Sequence, residues 1–454
     1  MLTDSERREI DALVYDWLDD TDSPGASFAI VSADDQEYAR GFGTRNVETN
    51  HPATPETLYG IASITKSFTA LAVLLEVEAG RMELDAPITR YTDVGLPDAD
   101  QLTIEKLLTH STGLPNLGTS EVLLGRHADL GDTGVPLADR EDLRQFLSGA
   151  GGERDEHSRG RFLYSNTAYT LLSHAIEATS GERFDAYVES EILDPLGMDR
   201  STFDPGELAD DENAAAAHRS AEDGFETTRF PARDLSRAAG GLISTPVELG
   251  RYLQFHLAGG ELEGTRLLPE STLARAHEGH VEPPPRYGDG YGYGWMRRDV
   301  AGTTLVHHGG SLLTAASAAG FLPERDYGVA LCCASQPDLH PTAILEGIVA
   351  IIEGADPESV VPELGYRARV EALTGEYESY RDIISATVTD DRGTLEMELR
   401  AGPVSETHTL VPEDSALDEW TFTVPRAGQP IPVEFVETDD GIDVFVDRYR
   451  LHQC

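Results

Sequence analysis

Lysine is nearly missing from this 454-residue chain: only Lys66 and Lys106 occur, so the other 33 of its 35 basic side chains are arginines. Against them stand 81 Asp and Glu residues, giving a formal charge of −46 and a pI near 4.4. Such a surface repels phosphate backbones and anionic bilayers, which argues against nucleic acid or membrane as partners. An acidic, arginine-for-lysine surface suits a protein kept soluble in concentrated salt, where a screening length of ~3 Å at 1 M removes the self-repulsion. A halophilic origin is therefore expected. Cysteine is scarce too, with Cys332, Cys333 and Cys454 alone. An odd count with two thiols inside the apolar run Val329 to Ala334 excludes a disulfide framework and fits a reducing compartment. No stretch reaches the ~18 apolar residues of a membrane span, and the opening MLTDSERREIDALVYDWLDD has neither a basic nor an apolar leader region. The expected location is the cytoplasm.

What is present is a globular composition: 40% hydrophobic residues, 7% aromatics, and 43 glycines and 25 prolines spread along the chain. Apolar spacing predicts helices over Asp4 to Leu18, Ser63 to Gly80, Asn166 to Ala178, Phe184 to Leu193, Val247 to Leu257 and Ala343 to Ile352. Strands are expected at Ala26 to Val31, Glu37 to Phe42, Gly292 to Met296, Thr304 to His308, Ala315 to Leu322 and Gly328 to Ala334. Residues 117–161 and 204–233 are polar and weakly periodic, and read as long insertions or lids. The prolines of DPESVVPEL mark a linker at 356–365 between a domain at 1–355 and a small all-β domain at 366–454.

Ser63-Ile64-Thr65-Lys66 is the central motif. On a helix, positions i and i+3 share a face, so one turn sets a hydroxyl beside an amine. Apolar neighbours Phe68, Leu71 and Val73 would desolvate Lys66, lower its pKa and let it act as a base. A chain that has exchanged nearly every lysine for arginine keeps one where arginine could not lose a proton. Tyr164-Ser165-Asn166 precedes another helical run: a tyrosine near an ammonium ionises more easily and shuttles a proton, while the Asn166 amide orients an acyl group or caps the helix. At the end of a strand pattern, His307-His308-Gly309-Gly310-Ser311 offers glycines that admit a substrate backbone and supply half an oxyanion hole, Ser63 N–H being the other half. Adjacent histidines on a strand face opposite sides and so do not share a metal; none is assigned, and no cofactor. Thr109-His110-Ser111-Thr112-Gly113 nearly matches a G-x-S-x-G elbow, but it follows a helical run and reads as a structural loop.

Together these residues resemble the serine β-lactamase-like family, which includes class C β-lactamases and penicillin-recognising peptidases and esterases. Further stretches similar to it are Gly41-Phe42-Gly43, Leu102 to Pro115, Ile192 to Met198, Ala238 to Leu253 and Gly290 to Trp295, so that the likeness covers about residues 5–355. It implies an α+β fold, an antiparallel sheet flanked by helices plus a helical region, with Ser63 at their junction. It also implies Ser63 as nucleophile, Lys66 and Tyr164 as shared base, Asn166 as a substrate contact, and His308, Gly309, Gly310 and Ser311 lining the acyl pocket. Histidine replaces the lysine of the family's Lys-Thr-Gly motif, aligned through His307 or, preferably, His308. That loss of a permanent cation disfavours substrates recognised by a carboxylate. Residues 366–454, through Leu373-Thr374-Gly375-Glu376-Tyr377, resemble a small β-barrel found after some hydrolase domains.

The expected function is hydrolysis of a small-molecule ester or amide through an acyl-enzyme. The alternatives are a D-amino-acid-specific peptidase and a catalytically silent scaffold of the same fold. The sequence leaves the oligomeric state open.

Overall fold

The computed structural model describes all residues except 97, 115–121, 123–136, 155–156, 222–223, 229, 231–233, 392, 415–416, 418, 427 and 440. It divides into two compact units, Met1–Val349 and Ala350–Cys454.

In the first unit, helix α1 (Asp4–Asp20) opens with a capping box between Thr3 and Glu6 and buries Ile10, Val14, Trp17 and Leu18. The chain then enters strands β1 (Gly25–Val31), β2 (Gln36–Asn46) and β3 (His51–Pro52). The sheet is completed much later in the chain by β4 (Gly290–Tyr291), β5 (Met296–Val300), β6 (Thr303–Leu312), β7 (Ala315–Leu322) and β8 (Tyr327–Cys333), in the spatial order β4-β5-β6-β7-β8-β1-β2-β3. Every neighbour pair in this order is antiparallel. β1 and β7 are buried along their whole length, which is why they are continuous apolar runs without alternation. Cys332 and Cys333 are fully buried in β8 and act as small hydrophobes.

Helix α2 (Thr65–Glu78) is buried on nearly every side and packs against α3 (Asn166–Ser180), forming the centre of the helical region. On the sheet, α4 (Pro246–Leu257) lies over β1 and β8; a side chain at its Gly250 would sit 2.9 Å from Val31 Cγ1.

Three local expectations are corrected. The strand expected over 292–296 is instead, at 292–295, the turn between β4 and β5, where Gly294 sits at φ +74 and Tyr293 and Trp295 are buried; Met296 begins β5. Strand β6 runs on to Leu312, so the two glycines lie within it and not beyond its end. Ser63 lies in a 3₁₀ turn, Ala62–Ile64, that leads into α2. Much of the first expected insertion lies outside the described residues; its remainder carries the helix Arg140–Gly149. The second holds a helix, Pro205–Asp210, and a hairpin of Ala217–Ala221 with Gly224–Thr228.

In the second unit, the two prolines open short helices, Pro357–Val360 and Pro362–Leu373, at a position where a missing N–H costs nothing. Among the described residues nine strands follow in one antiparallel sheet whose end strands, Val404–Thr409 and Val411–Pro412, are joined by Leu410 alone, so the sheet nearly closes into a barrel. Val370 and Leu373 of the second helix join its core with Tyr377, Met397, Phe422 and Phe435.

Candidate active site

Ser63 is held by the turn that precedes α2. Ala62 adopts a left-handed conformation, φ +49, which a residue with a Cβ accepts only when its surroundings impose it. They do: Ile61 N–H donates to Leu242 O (3.0 Å), and Ile61 O accepts the Ser317 hydroxyl of β7 at 2.8 Å. The segment Ala238–Leu242 is bolted to the same turn, since Thr69 donates to Ala238 O at 2.7 Å and Leu242 N–H donates to Thr65 Oγ1 at 3.1 Å.

This arrangement places Lys66 Nζ 2.9 Å from Ser63 Oγ and 2.6 Å from the Ala239 carbonyl. Burial alone pushes the Lys66 pKa well below the ordinary lysine range. Nζ donates to both here; once it has lost a proton it can keep the bond to Ala239 and turn its lone pair towards the Ser63 hydroxyl. Lys106, by contrast, is exposed, and its ammonium donates to the Gln101 carbonyl.

The Tyr164 ring lies 4.7 Å from Lys66 Nζ, and its hydroxyl is near enough to the Ser63 side chain for the two to interact. Its pKa is raised, not lowered, by burial first, with Ser63 pulling weakly the other way. Tyr164 therefore rests as a phenol, stacked on Tyr287 with ring centroids 5.8 Å apart. Asn166 begins α3 half-buried, two residues on from Tyr164; the helix cap is Ser165, whose hydroxyl accepts Ala168 N–H.

β6 splits its motif between two faces. A side chain at Gly310 would lie 2.3 Å from Ile61 O and 3.1 Å from Ala62 Cβ, so this glycine lets the strand touch the turn that carries Ser63. His308 shares that face and approaches Tyr164 and Tyr291. A side chain at Gly309 would instead meet Thr342 and His340, and His307 and Ser311 share that opposite face by strand alternation. Along its other edge β6 pairs with β5 only as far as His307, so residues 308–312 have no strand partner there among the described residues. His308 is held down to about 3 by burial first, with a further push whenever Lys66 is protonated, and is neutral.

The sequence reading passed over three contributors: the Ala239 carbonyl, Tyr291 and His110. His110, taken for part of a structural loop, is fully buried, with its ring 4.4 Å from that of Tyr164 and 4.8 Å from that of Tyr291. A polar side chain amid buried leucines just after a helix was the available signal.

The Beta-lactamase family matches residues 10–350, and the Pab87 octamerisation domain matches residues 357–452. Protein flp of Staphylococcus aureus (strain MW2) is 29% identical over 208 residues, covering 44% of this chain and 39% of that protein. A D-aminopeptidase of Gluconobacter oxydans (strain 621H) is 27% identical over 297 residues, covering 64% of this chain and 51% of its own length. The chain thus spans about half or less of these curated relatives. An octameric penicillin-binding protein homologue from Pyrococcus abyssi superposes with a TM-score of 0.88 at 31% identity, covering 99% of this chain and all of that one. On the extent of the family match and this whole-length likeness, the chain belongs to the β-lactamase family of serine hydrolases.

Proposed function

We propose that this chain hydrolyses small ester or amide substrates through an acyl-enzyme on Ser63. The observation that carries the reading is the 2.9 Å approach of Ser63 Oγ to a fully buried lysine, whose desolvation lowers its pKa well below the ordinary lysine range. As Ser63 Oγ bonds to the acyl carbon, its proton passes to Lys66 Nζ; the Tyr164 hydroxyl gives its proton to the leaving amine or alcohol as the acyl bond to that group breaks, and Lys66 reprotonates Tyr164 and returns to the neutral amine. The carbonyl oxygen takes up negative charge against Ser63 N–H and an amide of the unpaired edge of β6, with Asn166 orienting the acyl group. Water then attacks the acyl carbon, Lys66 accepts its proton, and Ser63 leaves as a hydroxyl. An extended acyl donor can lie along residues 308–312 as an added strand.

A second reading, a peptidase or amidase specific for D-amino acids, is favoured by the likeness to the D-aminopeptidase. It agrees with a neutral His308 in place of a cation, which leaves no charged anchor there for a substrate carboxylate. The match of residues 357–452 to an octamerisation domain supports assembly through the domain at 366–454, with the hydrolase domain at 1–355. Light scattering should then give roughly eight times the 49.3 kDa chain mass; a monomer would remove this part of the reading. Three free cysteines, two of them buried, support a reducing, cytoplasmic setting.

The test is fluorophosphonate labelling in high salt, mapped by mass spectrometry, beside a panel of short esters, D- and L-aminoacyl amides and a chromogenic cephalosporin. The adduct is expected on Ser63, and Ser63→Ala should abolish turnover. No adduct would favour a silent scaffold, and an adduct on Ser111 would overturn the assignment.

A further inference from the structure

We propose that His110 is a positioning residue that fixes both Tyr164 and His308 through one directed chain of hydrogen bonds; this rests on the reading of Ser63, Lys66 and Tyr164 above. His110 follows the helix Ile104–Leu108 at φ +57, in the left-handed region. Its backbone carbonyl accepts Leu163 N–H at 2.8 Å, and its Nδ1 accepts Ser165 N–H at 3.1 Å. Both chain neighbours of Tyr164 are thereby tied to a single residue, whose ring also packs on the tyrosine ring.

The direction of the remaining bonds follows from donor chemistry. An amide N–H only donates, so His110 Nδ1 bears the lone pair and Nε2 the proton. Nε2–H then donates to the Tyr291 oxygen, 3.1 Å away. At the other end, His308 Nδ1 lies 2.6 Å from the Gly309 carbonyl, which only accepts, so that nitrogen carries the proton and Nε2 the lone pair of a neutral ring. Tyr291 stands 3.3 Å from that lone pair and supplies its hydroxyl proton to it. Ser165, His110, Tyr291, His308 and Gly309 thus form an unbroken donor-to-acceptor series, and its three side chains are buried.

Two consequences follow. Tyr164 and the acyl-pocket strand are registered to one residue, although the contacts join positions 55 and 181 apart in sequence. Both nitrogens of His308 are committed within the protein, so the ring offers substrate an apolar face and not an N–H or a charge. The acyl donor accepted here is one without a carboxylate at that subsite.

Single-turnover phosphonylation of Ser63 by a fluorophosphonate, on the full chain in high salt, tests this without knowledge of the natural substrate. His110→Ala should slow it ~10²-fold, as expected of a small misplacement of reacting groups. His110→Asn should recover part of that loss, because Asn tolerates a positive φ and its Oδ1 can accept Ser165 N–H. Tyr291→Phe should slow the reaction by about as much as His110→Asn, and the double variant should be no slower than either single one, since both break the same chain. Tyr291→Phe at the wild-type rate, or losses that multiply in the double variant, would overturn the inference. If His110→Ala does not fold, the Asn and Phe variants decide it. A wild-type chain that takes no label on Ser63 would instead fail the hydrolase reading, and this inference with it.

Discussion

Lys66 and Lys106 occupy opposite environments, and the regions around them treat charge in opposite ways. Near Lys66 burial pushes each ionisable group towards its neutral form: the amine is depressed by desolvation, Tyr164 is raised, and His110 and His308 are both lowered, by burial first. At the surface, arginines face carboxylates in solvent, as in Arg144 with Glu141 (2.7 Å), Arg400 with Glu398 (2.7 Å) and Arg251 with Glu263 (3.0 Å). Exposed pairs of this kind contribute little each. The difference teaches where lysine is needed. A cation that only has to stay charged can be arginine, whereas a group that must give up its proton cannot.

Exchanging each lysine for arginine sharpens that contrast most. Lys66→Arg should lower turnover ~10²- to 10⁴-fold, the usual worth of general acid–base catalysis. Lys106→Arg should leave turnover and melting temperature near wild type, as expected of an exposed site. Equal rates in both variants, measured on whichever ester or amide is turned over, would mean that Lys66 acts only as a charge.

The two faces of β6 give a smaller effect. Gly310→Ala drives a methyl group against the Ile61 carbonyl, whose place is set by Leu242 and Ser317, and should slow Ser63 acylation by ~10². Gly309→Ala meets the side chains of Thr342 and His340 on the far face and should cost less activity, though some stability. The reverse order in acylation rates would show that the strand is gripped from the α-helical side instead.

For the surface, the expected effect is on stability. With a charge of −46, the folded chain repels itself over a Debye length of ~10 Å at 0.1 M salt and ~3 Å at 1 M. The melting temperature should therefore rise along a KCl or NaCl series and fall on dilution below roughly molar. A flat or falling trend would contradict the electrostatic argument and the halophilic origin with it.

How much of this was legible in the sequence depends on the range of the interaction. The contact between Ser63 and Lys66 lies within one helical turn, so its spacing is enough to read it. Buried strands such as β1 and β7 are also visible, as apolar runs bounded by turn residues. GYGYGW misleads because Gly and Tyr alternate as in a strand; Gly294 is there so that the turn can approach α2, where a Cβ would lie 2.7 Å from Lys66 O. His110 was missed because its partners, Tyr164, Tyr291 and His308, come together only when the sheet and the helical region fold against each other. The same holds for the Ala239 carbonyl, 173 residues from the lysine it contacts.

The pH dependence of Ser63 acylation, measured in single turnovers, bears most directly on the claim that Lys66 takes the serine proton as a neutral amine. The rate should rise with pH through a Lys66 ionisation lying well below the ~10.4 of an exposed lysine, level off above it, and lose that limb in Lys66→Arg. A limb that stays in the ordinary ammonium range, or one that Lys66→Arg leaves in place, would contradict the account.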